Sequence, residues 1–195
     1  MSVMSRVEGV FCRSAPWGVF ADRVILPLVD DDPPWAGTVL EIGGGAGAMA
    51  DRLLREHDGI DRLILADVDP AMIAAAEKRL AHHGERAEAV LTDGGLPVPD
   101  ESVDIVCAWL MLHHVIDWKP LVERAFRVLR PGGRLLGYDL SAGVLGEVLH
   151  GVSGSEHLLI DPAELRRELA HVGFEAVEVR PRLLGQLMTF RAVRP

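Results

Sequence analysis

Hydrophobic and polar positions follow two rhythms along the chain. Short apolar runs of strand length, Thr38 to Ile42, Leu63 to Ala66, Ala87 to Leu91, Val103 to Trp109 and Arg134 to Asp139, alternate with stretches of helical spacing. That spacing predicts a helix beginning near Ala48, a second from Asp69-Pro70 to about His83, and a third over Trp118 to Leu129 with Leu121, Ala125 and Val128 on one face. Pro131-Gly132-Gly133 stops the third helix and turns the chain. Asp161-Pro162-Ala163-Glu164 places an N-cap, a first-turn proline and a capping-box acid in register, so a further helix follows with Leu165, Leu169 and Val172 inward and Gly173 as its stop. Glu175 to Arg180 and Leu184 to Arg194 read as two closing strands joined by a short link containing Pro181. Repeated strand-helix units predict an α/β fold with a doubly wound, mostly parallel sheet, and the short final connection predicts an antiparallel last strand.

Two strand ends carry chemistry. Thr38 to Ile42 holds Glu41 and then breaks into Gly43-Gly44-Gly45-Ala46-Gly47, a strand turning sharply into a helix where a ligand can lie against main chain that no Cβ shields. A tight structural corner uses the same residues, so the turn alone does not decide. The next strand ends in Asp67, about 20 residues beyond Gly47, the separation at which a carboxylate reaches a bound ribose. Asp69-Pro70 already caps the following helix, which leaves Asp67 spare for a ligand.

Composition narrows the setting. The 195 residues, 49% hydrophobic, suit one globular domain: an N-terminal helical segment and linker over 1–37, with Asp30-Asp31-Asp32-Pro33-Pro34 as a solvated connector, and a main unit over 38–195. No apolar run is long enough to span a bilayer, and Met1 to Glu8 has no signal-peptide pattern, so a cytoplasmic location is expected. A net charge of −9 argues against nucleic acid, and the scarcity of lysine beside arginine reads as coding bias. Cys12 and Cys107 are expected to be reduced thiols.

Glu41 to Gly47, Leu63 to Pro70, Leu91-Thr92-Asp93-Gly94, Pro97 to Val106, Leu112-His113-His114-Val115 and Leu129 to Arg134 stand in the order seen in class I S-adenosylmethionine-dependent methyltransferases. The chain resembles most the small bacterial branch containing the quinone-biosynthesis C-methyltransferases, over residues 38 to 140. The resemblance implies a Rossmann-like seven-stranded sheet and S-adenosylmethionine as cofactor, with S-adenosylhomocysteine as product. It implies that Glu41 holds the methionine end, that Gly43, Gly45 and Gly47 admit the cofactor, and that Asp67 takes the ribose. It further implies that Val68 and Asp93 meet the adenine together with the Gly94 N–H, and that the Ala108 carbonyl faces the methionine amino group. Each has a plainer reading: Glu41 pinning the loop, Gly47 packing helices, Asp93-Gly94-Gly95 forming a polar turn.

The acceptor side is less specific. His113 and His114 are weak candidates for a general base, and adjacent residues make a poor chelate, so no metal is expected there. His82 and His83 read as a helix C-terminus. Trp17, Trp109 and Tyr138, with Cys12, Phe20 and His150, are candidates for an acceptor pocket at the carboxyl edge of the sheet, although Trp17 and Trp109 suit a core equally. The expected activity is in-line methyl transfer to a small-molecule acceptor, which needs alignment more than acid-base chemistry. The chain has no Asp-Pro-Pro-Tyr or Asn-Pro-Pro-Tyr motif and no catechol-type acid cluster. The competing readings are a non-catalytic cofactor-binding partner subunit and a nicotinamide-dependent oxidoreductase, the latter from Gly45-Ala46-Gly47-Ala48-Met49-Ala50.

Overall fold

The computed structural model describes residues 34–142 and 159–195. The expectations placed on the N-terminal helical segment and on Cys12, Trp17, Phe20 and His150 lie outside the described residues. Within them, strands β1 (Gly37–Ile42), β2 (Ile60–Asp67), β3 (Ala87–Leu91), β4 (Val103–Trp109), β5 (Leu129–Leu140), β6 (Glu175–Arg182) and β7 (Leu187–Val193) form one sheet in the order β3-β2-β1-β4-β5-β7-β6. The pairs β2–β3, β1–β2, β1–β4 and β4–β5 are parallel, and β7 runs antiparallel to both β5 and β6. The α/β fold and the antiparallel last strand are as the sequence predicts.

Period-2 alternation divides each central strand between two cores. Val39, Leu63, Leu65, Ile105 and Cys107 face helices α1 (Ala48–Glu56) and α2 (Pro70–Leu80), whereas Leu40, Ile42, Ile64 and Val106 face α3 (Lys119–Val128) and α4 (Pro162–Val172). A strand buried on both sides must be apolar throughout, hence the continuous run at Leu63 to Ala66. The helix starts follow their caps: Asp69 accepts from the Ala71 N–H at 2.8 Å, and Asp161 from the Glu164 N–H at 2.9 Å. Gly173, at φ 112°, ends α4.

Three boundaries differ from expectation. Pro181 lies inside β6 rather than in a link, tolerated because β6 is an edge strand whose outer side has no ladder to supply. The Pro131-Gly132-Gly133 turn is absorbed into β5, where Gly132 N–H donates to the Arg194 carbonyl and Arg194 N–H to that of Gly133. Helix α2 ends at Leu80 and continues as a 3-10 turn, Ala81–Arg86, so His82 and His83 sit beyond the helix.

Close packing between β4, β5 and β7 leaves no room at Gly137, where an added Cβ would stand 2.3 Å from the Ala108 carbonyl oxygen and 2.4 Å from Phe190 Cζ. Gly137→Ala is therefore expected to lower the unfolding free energy by about 1–3 kcal/mol or more through overpacking. Gly132→Ala, where a Cβ meets nothing within 4 Å but φ is 80°, should cost only about 1 kcal/mol. Urea denaturation compares the two, and equal losses would contradict this packing account.

Candidate active site

Parallel strands deliver their carboxyl ends to one edge, and here three neighbouring strands end in acids: Glu41 near the end of β1, Asp67 at the end of β2 and Asp93 just after β3. Neighbouring strands are about 4.8 Å apart, so this row spans roughly 10 Å, enough for an extended nucleoside ligand. The row borders the β1–β4 boundary, where strand order reverses.

Glu41 is 1% exposed, and its Oε2 has no hydrogen-bond partner. The Ala50 N–H, in the first turn of α1, donates to the carboxylate. Burial, and secondly the nearby charge of Asp67, push the Glu41 carboxyl from its ordinary 4.5 up to about 8. An unmet acceptor in a dry site is rare in native proteins and calls for a donor or a cation. Asp67, by contrast, is not spare. Its Oδ2 accepts from the Gly45 N–H at 2.8 Å and its Oδ1 from the Asp69 N–H at 2.9 Å. It pins the glycine loop while keeping lone pairs for a ligand.

The three glycines divide their roles. A Cβ at Gly43 would stand 2.9 Å from Met111, and one at Gly47 3.3 Å from Ala76 on α2, so these two serve close packing. Gly45, at φ 53°, would project a Cβ into open space with nothing within 4 Å. Gly45 is the position at which a ligand can approach bare backbone.

Asp93 is exposed and accepts from the Gly95 N–H at 3.1 Å, while the Gly94 N–H is turned to Thr92 Oγ1 at 3.2 Å rather than outward. The polar-turn reading thus describes the local geometry. Asp93 and Gly94 nevertheless line a cleft of about 760 Å³ together with His114, Asp117, Leu121 and Arg124. Val68 is half-buried. Ala108 is buried within β4, paired with Ile42 and Gly137.

His113 and His114 share one 3-10 turn, Leu112–His114, with their ring centroids 4.0 Å apart. His114 lines the cleft, whereas His113 is buried with Nδ1 2.5 Å from Asp139 Oδ1. Asp139 also accepts from the Leu112 N–H at 2.6 Å and the Leu140 N–H at 2.7 Å, so it positions the whole loop after β4. Trp109 and Tyr138 lie in the core on the α1–α2 side of the sheet. Both are buried, their ring centroids 5.7 Å apart, and Trp109 packs also on Trp35 at 6.2 Å, because their strand positions face the α1–α2 side. Asp139 and Arg124 were not singled out in the sequence, although Asp139, like Asp67, is a carboxylate closing an apolar strand.

The family description "Methyltransferase domain" matches residues 40–137. The chain is 35% identical over 107 residues to the ubiquinone/menaquinone biosynthesis C-methyltransferase UbiE of Hahella chejuensis, covering 53% of this chain and 43% of that protein. It is 36% identical over 125 residues to a malonyl-[acyl-carrier protein] O-methyltransferase of the same organism, covering 62% of this chain and 43% of that one. The chain thus spans less than half the length of these curated relatives. The methyltransferase in a Haloferax volcanii complex with the Trm112 methyltransferase activator superimposes with a TM-score of 0.81 at 21% identity, all of both chains being covered, which supports the fold. The chain belongs to the S-adenosylmethionine-dependent methyltransferase domain family, and the oxidoreductase alternative falls away. Among the described residues no helix is long and apolar enough to cross a membrane.

The residues fit that cofactor: an orphaned buried carboxylate oxygen suits an ammonium, and Gly45 offers an open cradle. Because Asp67 holds the loop and stands in the row of strand-end acids, Asp67→Ala should lose about 1–3 kcal/mol of stability from two abandoned N–H groups, and weaken cofactor binding as well. Chemical denaturation and titration calorimetry read the two effects. A fully stable variant with unchanged affinity would remove Asp67 from the site.

Proposed function

We propose that the protein transfers a methyl group from S-adenosylmethionine to a small-molecule acceptor, in the cytoplasm. The observation that carries this reading is the buried Glu41 carboxylate near the end of β1, whose Oε2 has no partner and where a cationic ligand supplies one. The cofactor when bound supplies an electrophilic methyl on sulfonium, so the protein's task is alignment and exclusion of water. Glu41 receives the methionine ammonium, Asp67 the ribose hydroxyls, and Asp93 with Val68 the adenine, in the order of β1, β2 and β3. Gly45 lets the ligand lie against backbone, and the Ala108 carbonyl is available at the end of β4.

The cleft of about 760 Å³, lined by Asp93 and Gly94 on the adenine side and by His114, Asp117 and Arg124 on the acceptor side, falls within the roughly 300–1,000 Å³ of small-molecule sites. His114 stands in that cleft and is the better placed of the two histidines to take a proton from an acceptor. His113, bonded to Asp139, positions the loop. Arg124, whose Nε has no partner, favours an acceptor with an anionic or strongly accepting group.

The Glu41 carboxyl supplies a pH signature. In the ligand-free native state it keeps its proton up to about pH 8, whereas the unfolded chain releases it near 4.5. The native state therefore binds more protons between these values, so its stability is fully present below about 4.5, declines as pH rises toward about 8, and is level above. Glu41→Gln removes this slope: ligand-free, the variant should melt higher than the native protein at pH 8 and the two should converge near pH 4.5. The same variant should bind S-adenosylmethionine more weakly by about 1.5–3 kcal/mol, the scale of a hydrogen bond to a charged group. Scanning calorimetry across pH and titration with S-adenosylhomocysteine test both. Unaltered affinity in Glu41→Gln, or stabilisation of the native protein by NAD instead, would overturn the assignment. Transfer of labelled methyl across an acceptor panel distinguishes an enzyme from a partner subunit. His114→Gln should there lose turnover by about 10²-fold or more if a base is used, with cofactor affinity spared.

A further inference from the structure

Away from the cleft, the 3-10 turn after α2 brings two imidazoles onto one carboxylate. His83 Nε2 stands 2.8 Å and His82 Nε2 3.2 Å from the same Asp51 Oδ1, with the imidazole centroids 3.9 Å apart. The three donor atoms all lie within 4.8 Å of one another. Arg55 pairs with the other oxygen, Asp51 Oδ2, at 3.0 Å, which fixes the carboxylate and leaves Oδ1 to the histidines. The turn itself is anchored: Arg86 donates to the Ile60 carbonyl at 3.0 and 3.1 Å, and Gly84, at φ 61°, lets the chain reverse immediately after the pair. Side chains of His83 and Asp51 are 7% and 13% exposed, and that of His82 is 58% exposed.

We propose that Asp51, His82 and His83 form a binding site for a divalent transition metal of the Zn²⁺ type. Neutral imidazole nitrogens and one carboxylate oxygen are the donor set such borderline ions prefer. Tetrahedral Zn²⁺ with bonds of about 2.0–2.1 Å needs donors roughly 3.3 Å apart, a spacing close to the 3.2 Å between His82 Nε2 and Asp51 Oδ1 and about half an ångström wider than the 2.8 Å between His83 Nε2 and the same oxygen. Exposure of His82 leaves a fourth position to water. Arg55 acts as the outer partner that orients the carboxylate. The ion joins the first turn of α1 to the segment after α2. Since the Asp51 N–H bonds to the Gly47 carbonyl at 3.0 Å, the join lies one helical turn from the glycine loop.

The test uses the full chain without an affinity tag, titrated with Co²⁺ and with Zn²⁺ against a chromophoric chelator. One equivalent of Co²⁺ should bind with visible absorption of four-coordinate intensity, Zn²⁺ should displace it, and Zn²⁺ should raise the melting temperature. His82→Gln, an exposed change that leaves the metal-free fold intact, should weaken Zn²⁺ binding at least about tenfold, as should Asp51→Asn. His114→Gln should leave metal binding unchanged. Absence of the Co²⁺ spectrum in metal excess, binding that survives His82→Gln, or binding lost in His114→Gln would each overturn the proposal.

Discussion

A carboxylate held dry with one oxygen unanswered is a standing electrostatic tension, and the site is organised around it. Ionising Glu41 in the ligand-free protein sets a negative charge in low dielectric beside that of Asp67, which is why the proton is retained to about pH 8. A cationic ligand reverses the preference by giving the charge a partner. The binding energy of such a group is drawn partly from relief of a penalty built into the empty fold, and the stability of the empty protein is the lower for it.

That tension is sustained by topology. Glu41 lies on a central strand with β2 and β4 on either side, and its carboxylate looks toward the start of α1. Met111 and Leu65 pack closely against Gly43 and Gly44, the glycines that follow β1. Asp139 performs the corresponding service after β4, gathering the Leu112 and Leu140 N–H groups and the His113 ring on one buried carboxylate. The acids of the edge thus divide into Asp67 and Asp139, which fasten loops, and Glu41, which keeps one oxygen open.

What the sequence disclosed was chiefly what local rules govern. Strand and helix identity followed from periodicity, the caps at Asp69 and Asp161 from spacing, and the glycine turn from composition. Side-chain destination was less legible. Trp109 closes β4 and Tyr138 stands opposite it on β5, so the face they share depends on which helices cover the sheet, a tertiary matter. The partnership of His113 with Asp139 joins residues 26 apart, and that of Asp51 with His83 joins residues 32 apart, separations at which no periodicity speaks. Pro181 misled because a proline ends most strands but not the edge of a sheet.

The placement of β7 has a temporal side. It is made after β6 yet lies between β6 and β5, so β6 has no sheet neighbour until residues Leu187–Val193 exist and have inserted. During synthesis the β5 flank stays an open edge, with unpaired backbone groups able to recruit another chain. Strand β7 is therefore a wedge between β5 and β6 rather than an addition at an edge.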